Sequence, residues 1–341
     1  MPSSSNKTEY QWAVIGAGPA GIAAVGKLLD AGITSNQIIW IDPLFSVGFF
    51  GLKWGCVSSN TSVQLFIDFL AASPAFGIDV NIEKEKGTYE LFRLPPESTC
   101  RLELATAPLI KVTETLRSKV ESFVGTVELI RQCHDNSGWQ LSLKGNDQTL
   151  NILTATKVVL ATGSRPKTLQ NADAKKTIPL ETALQINSLR ACVTETDTIA
   201  VYGSSHSAIM IVRDLFGRFI NDSTGLKGDT AKWAKANLMG DGLPRNLVRV
   251  KSGSLDESHA LKNLTKCIYA IGFEREPVAV EGVELDKYDA TMGRIANGLY
   301  GVGIAFPERG EDAAGNLELQ VGIWKFMRYL TRVLPFWVED M

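Results

Sequence analysis

Cysteine and histidine are scarce in this chain. It has five cysteines, an odd number with no CxxC pair, and three histidines, His134, His206 and His259, none paired at metal-ligand spacing. These shortages exclude a disulfide scaffold, a zinc ribbon and a histidine-based triad, so no metal is expected. Neither sign of charge dominates. Thirty-five Lys and Arg stand against 37 Asp and Glu, a net charge of −2 without the basic surplus that a nucleic-acid binder needs. No apolar run approaches the roughly 18 residues of a membrane span. The opening MPSSSNKTEYQ lacks the basic-then-apolar pattern of a signal peptide. A reducing cytoplasm is the expected setting.

What is present is globular. Hydrophobic residues make up 45% and charged residues 21% of 341 positions, enough chain for two domains with full cores.

Residues 12–42 carry the strongest signal. The apolar WAVI predicts a buried strand and runs directly into GAGPAG, Gly16 to Gly21. PAGIAAVGKLLDAG has helical spacing with Gly32 as its stop, and QIIWID predicts a second strand ending in Asp42. Gly16 permits a tight strand-to-helix turn, Gly18 lets backbone approach a pyrophosphate, and Gly21 allows close helix–strand packing. The helix N-terminus offers free N–H groups to phosphates. Asp42 is placed to accept hydrogen bonds from adenosine ribose hydroxyls.

GAGPAG resembles the FAD-binding turn of the two-dinucleotide-binding-domain flavoproteins, a superfamily of disulfide reductases and flavin monooxygenases. The resemblance implies FAD contacts at Gly16, Gly18, Pro19, Ala20, Gly21, Asp42, Pro43, Trp54 and Val127. It also implies three further stations. The first is KVVLATGSRPK, with Ala161, Thr162 and Gly163 where the chain crosses between domains beside the flavin. The second is a nucleotide turn, DTIAVYGSSHSAIMIVRDLF, with Gly203 first, Ser205 for the usual central glycine and Ala208 third. It reads either as an NADPH or NADH site or as a structural relic. His206 inside it would touch a pyrophosphate or substrate, or face solvent on the helix. The third is NGLYGVGIAFPE, with Gly303 and, in place of the usual acid, Ile304. A helical stretch LQVGIWKFMRYLTRVL follows, whose N–H groups near Val321 and Gly322 would stabilise reduced flavin.

Gly203 and the Gly272 of CIYAIGFE are 69 positions apart, too close for several complete βα units. The intervening GRFINDSTGLKGDTAKWAKANLMGDGLPRN is rich in turn residues, and Arg213, Arg218 and Arg245 are its candidate phosphate partners. The expected fold is therefore α/β, a Rossmann-like FAD-binding domain (1–190 and 276–341) with an inserted, shortened nucleotide-binding-like domain (191–275).

FFGLKWGCVSSNTSV replaces the CxxxxC of the glutathione-reductase type with Gly51 and Cys56, which argues against disulfide reduction. Cys56 is either a reactive thiol near the flavin or a small buried hydrophobe. The same stretch, with Trp54, Val57, Ser59, Asn60 and Thr61, resembles the active-site segment of flavin-dependent monooxygenases. There the Asn60 amide would hydrogen-bond a flavin–oxygen adduct behind an apolar wall of Phe49, Phe50, Trp54 and Phe66. The alternative is that Asn60 caps the following helix. The monooxygenase signature of phenylalanine, glycine and histidine ahead of the ATG element is absent.

The resemblance implies an FAD-dependent, monooxygenase-like oxidoreductase acting on a small organic molecule, with NADPH or NADH as reductant. The alternatives are an FAD enzyme that has lost NAD(P)H use, or a non-catalytic flavin-binding partner protein. The closing RYLTRVLPFWVEDM reads as a core or dimer-face helix rather than a membrane-surface one.

Overall fold

The computed structural model describes residues 8–215, 234–235, 237–238, 247–251, 253–311 and 317–340. Its centre is a sheet whose strands follow the sequence closely. β1 (Glu9–Ile15), β2 (Ile38–Asp42), β5 (Glu121–Gln132), β7 (Leu150–Leu160) and β13 (Leu299–Gly301) run parallel in the order β5-β2-β1-β7-β13. β12 (Arg294–Ala296) adds an antiparallel edge to β13. The long strands β5 and β7 continue past the parallel region and pair antiparallel with β6 (Trp139–Gly145), so that they and β6 form a meander beside it.

β2 and the C-terminal ends of β1 and β7 are continuously buried because both faces are covered there. Trp12 and Val14 of β1, with Ile38 and Trp40 of β2, face a core built on helices. Ala13, Ile15, Ile39 and Ile41 face the meander core with Trp139, Leu141 and Phe306.

The helical layer includes α1 (Pro19–Asp30), α2 (Gly48–Leu52), α3 (Val63–Ala71), the helix Leu102–Lys119 and the C-terminal helix Ile323–Glu339. Pro19 sits in the first turn of α1, where its missing N–H costs nothing, and Gly18 is the N-cap. The C-terminal helix reaches five residues beyond Leu334 despite Pro335, burying Tyr329, Leu330, Val333, Leu334 and Trp337. It is a core helix, as its sequence suggested.

Lys157 fastens the end of that helix. Only 7% exposed, its ammonium donates to the carbonyls of Trp337 (2.7 Å) and Val338 (2.9 Å). Burial pulls its pKa below the usual lysine value. Tyr300 stacks on Trp337 with 4.6 Å between centroids, and its hydroxyl donates to Asp340, which Arg294 also meets.

β3 (Ser58–Ser62) and β4 (Thr99–Arg101) pair antiparallel, with α3 in the segment between them. A third core gathers around the parallel pair β9 (Ile199–Tyr202) and β10 (Lys266–Tyr269), with the helix His206–Leu215 on it. The chain enters and leaves this unit through β8 (Ser164–Pro166) and β11 (Phe273–Arg275), which pair antiparallel. Leu180, Ala183, Leu184 and Leu189 are buried in the same core. Residues on both sides of position 190, the expected end of the first part of the FAD-binding domain, thus contribute to this core.

Candidate functional site

The glycine turn at the C-terminal end of β1 has one open position and two closed ones. A Cβ on Gly16 (φ +106°) would lie 2.3 Å from the Ala161 carbonyl oxygen, and one on Gly21 would lie 1.9 Å from the Gly16 carbonyl oxygen. Those two glycines exist for packing. Gly18, by contrast, has no protein atom within 4 Å of where a Cβ would stand. The space above it is where a bound group would lie, at the N-terminus of a twelve-residue helix.

A second loop lies against this turn. After β2 the chain turns through Phe45 (φ 51°), Val47 (φ 61°) and Gly48 (φ 57°), all left-handed. A Cβ on Gly48 would stand 3.0 Å from the Gly18 Cα. Left-handed backbone costs a non-glycine residue about 1–3 kcal/mol, most for a β-branched one, so the surroundings must hold Phe45 and Val47 in place. They do so firmly. Val47 is fully buried, and Phe45 packs edge-on to Trp40 (5.1 Å, 87°) under the Arg117 guanidinium (4.2 Å).

Asp42 joins the two loops. Its Oδ2 accepts the Ala17 N–H (2.7 Å), and its Oδ1 accepts those of Leu44 (2.9 Å) and Phe45 (2.6 Å). Its register partner on β5 is Val124, an exposed apolar residue that sequence reasoning passed over. Only the β2–β5 register identifies it. Val127, the expected contact, lies three residues further on and packs against the meander core, while Pro43 accepts from Asn146 (3.0 Å).

The crossover closes the other side. Ala161 follows β7 directly, and the Thr162 hydroxyl is buried without a hydrogen-bond partner among the described residues, as is Glu276 Oε2. The Glu276 N–H donates to the Gly163 carbonyl (3.1 Å). Gly303 (φ +87°) reaches α1, where its Cβ would stand 2.6 Å from that of Ala20. Ile304 packs partly against the helical core, in keeping with an apolar residue where an acid was expected. Gly322 is the N-cap of the C-terminal helix, and Val321 before it is exposed. An open position at Gly18 and an orphaned Thr162 hydroxyl both fit a dinucleotide such as FAD.

The expected active-site stretch divides. Asn60 lies exposed on β3, and the N-cap of α3 is Ser62 with no side-chain bond, so the capping alternative for Asn60 is corrected. Ser59 shapes β3 locally by accepting the Thr61 N–H (2.7 Å). The four aromatics do not form one wall: Phe50 and Phe66 pack in the helical core, Phe49 is exposed under the Lys53 ammonium, and Trp54 meets Phe273 edge-on (5.8 Å, 88°). Lys53 also pairs with Glu181 (3.3 Å). This stretch is therefore fastened to the second unit. Burial pushes the Cys56 thiol above its ordinary pKa, and the nearby Glu103 carboxylate adds to the shift.

In the second unit Gly203 (φ +127°) repeats the geometry of Gly16, with its Cβ position 2.3 Å from the Ala270 carbonyl oxygen. Ser205 is exposed beside it, Ala208 is buried, and His206 opens the helix half-buried rather than solvent-facing. Arg213 is paired with Asp214 (3.3 Å), while Arg218 and Arg245 lie outside the described residues. Among the described residues no helix is long and apolar enough to cross a membrane, and no cluster of three His, Cys, Asp or Glu is placed to hold a metal.

No known protein-family profile matches the chain. It is 30% identical to the monooxygenase AgnR1 of Paecilomyces divaricatus, an alignment covering 95% of this chain and 97% of that protein. Two solved structures share its fold across nearly its whole length. The bacillithiol disulfide reductase Bdr (YpdA) of Bacillus cereus has a TM-score of 0.64 at 13% identity, covering 98% of this chain and all of that one. The Staphylococcus aureus enzyme of the same name has a TM-score of 0.57 at 14% identity, covering 96% and 99%.

Proposed function

The chain belongs to the family of the monooxygenase AgnR1, and from that premise we propose that it is an FAD-dependent oxidoreductase that oxygenates a small organic molecule. The observation that carries the flavin assignment is the open position at Gly18, between the packed glycines of one turn and the left-handed loop of another. FAD, when bound and reduced, supplies the electrons and the activation of dioxygen.

The chain's own residues supply placement. The N–H groups at the start of α1 would hold the pyrophosphate, and the buried Thr162 hydroxyl would find in the cofactor the partner it lacks. Asn60, exposed on β3, would present its amide as donor to an oxygen during transfer. Burial raises the Cys56 thiol pKa, which disfavours the thiolate a nucleophile would need. The turn at Gly203 and Ser205 would hold the NADPH or NADH that provides reducing equivalents, on backbone arranged like that around Gly16.

Anaerobic titration of the purified protein with NADPH and then NADH, followed by visible absorbance, tests this reading. Rapid bleaching with recovery in air is the expected result. A yellow protein that neither nucleotide bleaches overturns the NAD(P)H-driven oxygenation. A protein that takes up no flavin overturns the cofactor.

A further inference from the structure

We infer that Asp42 is a positioning residue that clamps the phosphate turn to the loop after β2, and that it does not read the adenosine ribose. This inference rests on the FAD assignment above. The acid at the end of the second strand was expected to bond the two ribose hydroxyls, and its surroundings leave it little capacity for that.

A carboxylate has about four acceptor positions, two on each oxygen. Oδ1 of Asp42 uses both of its own on the Leu44 and Phe45 N–H groups, and Oδ2 uses one on Ala17. Gripping a diol through both oxygens would mean giving up a backbone bond. The side chain is only 8% exposed and lies within the end of the sheet rather than beyond it.

The three bonds instead account for how the site is assembled. The phosphate turn is already attached to β2 by the Gly16 N–H on the Ile41 carbonyl (2.8 Å) and by the Trp40 indole N–H on the Gly16 carbonyl (2.9 Å). Asp42 adds Ala17 to that seam. On its other oxygen it holds Leu44 and Phe45, where the chain enters its left-handed course toward Gly48 and so toward Gly18. Without the carboxylate, amide groups at two loops lose their acceptor together, and the left-handed course of Phe45 and Val47 rests on side-chain packing alone. Gly48 would then leave its place against Gly18. The same acid thus acts on the phosphate end of the cofactor through backbone.

The two roles separate by ligand. Affinities of the flavin-stripped protein and of Asp42→Asn are measured by flavin fluorescence for FAD and for an FAD analogue with a 2′,3′-dideoxyadenosine ribose. Clamping predicts that the wild-type protein binds both ligands within about threefold. It also predicts that Asp42→Asn weakens both by the same factor, roughly tenfold or more, since an amide has a single acceptor oxygen and cannot serve both loops. A wild-type preference for FAD of tenfold or more over the dideoxy analogue overturns the inference, and that comparison needs no variant to fold. So does an Asp42→Asn protein that binds both ligands as the wild type does. If folded wild-type protein binds neither, the FAD assignment itself is wrong and the clamp falls with it.

Discussion

Gly203 stands against Ala270 as closely as Gly16 stands against Ala161: in each pair a Cβ on the glycine would come within 2.3 Å of the alanine carbonyl oxygen. Both glycines have positive φ, so neither position admits a side chain without moving a neighbouring strand. Gly203→Val should therefore destabilise the unit around β9 and β10 by about 3 kcal/mol or more, read as an earlier transition in urea.

Gly16 and Gly18 should separate folding from ligand retention. Gly16→Val drives a side chain into the Ala161 carbonyl and should lower the melting temperature sharply. Gly18→Val meets no protein atom and should melt close to the wild type while losing bound flavin, seen as a fall in the ratio of visible to protein absorbance. A Gly18→Val protein with full flavin occupancy contradicts the assignment of the site.

Lys157 should matter for stability rather than chemistry. Lys157→Met keeps a chain over Trp12 but strips the donor from two carbonyls at the end of the C-terminal helix. The expected loss is about 1–3 kcal/mol by denaturant titration, with flavin content unchanged.

Tyr10 gives a pH signature. Its pKa is pushed up to about 12, chiefly by burial and secondarily by the Glu121 carboxylate. The folded chain thus keeps a proton that the unfolded chain begins to release near pH 10. Its contribution is whole below pH 10 and disappears as pH climbs to about 12. Tyr10→Phe should make the alkaline loss of stability shallower across that window, measured by denaturation at fixed pH steps.

Cys56 should be slow. With its thiol held neutral by burial, labelling by a disulfide reagent at pH 7.5 should lag behind a free cysteine peptide and accelerate as pH rises. Cys56→Ala should retain flavin and turnover within about twofold. A tenfold loss of turnover would return this thiol to the chemistry.

Gly16, Gly21 and Gly203 were legible in the sequence because each meets a local demand, a positive φ or a contact too close for a side chain, that no other residue satisfies. The buried strands were legible for a similar reason: covered on both faces, they can hardly be anything but continuously apolar. Asp42 shows where this stops. Its type and position were readable, but its three backbone partners depend on a loop whose left-handed course at Phe45 and Val47 breaks local preference. Val124 needed the register of two strands about 80 positions apart, and the contact of Trp54 with Phe273 joins segments about 220 positions apart. The packing of Leu180 and Leu189 with the β9–β10 core was hidden because helix residues carry no mark of which core they enter.

The pairing of Pro166 with Phe273 has a consequence for mechanics. The chain leaves and returns through a doorway one strand wide, with Arg165 and Glu274 joined across it at 2.7 Å. Residues 166 and 273 are therefore neighbours in space although about 107 positions apart in the chain, so the two flanking strands hold each other in place directly.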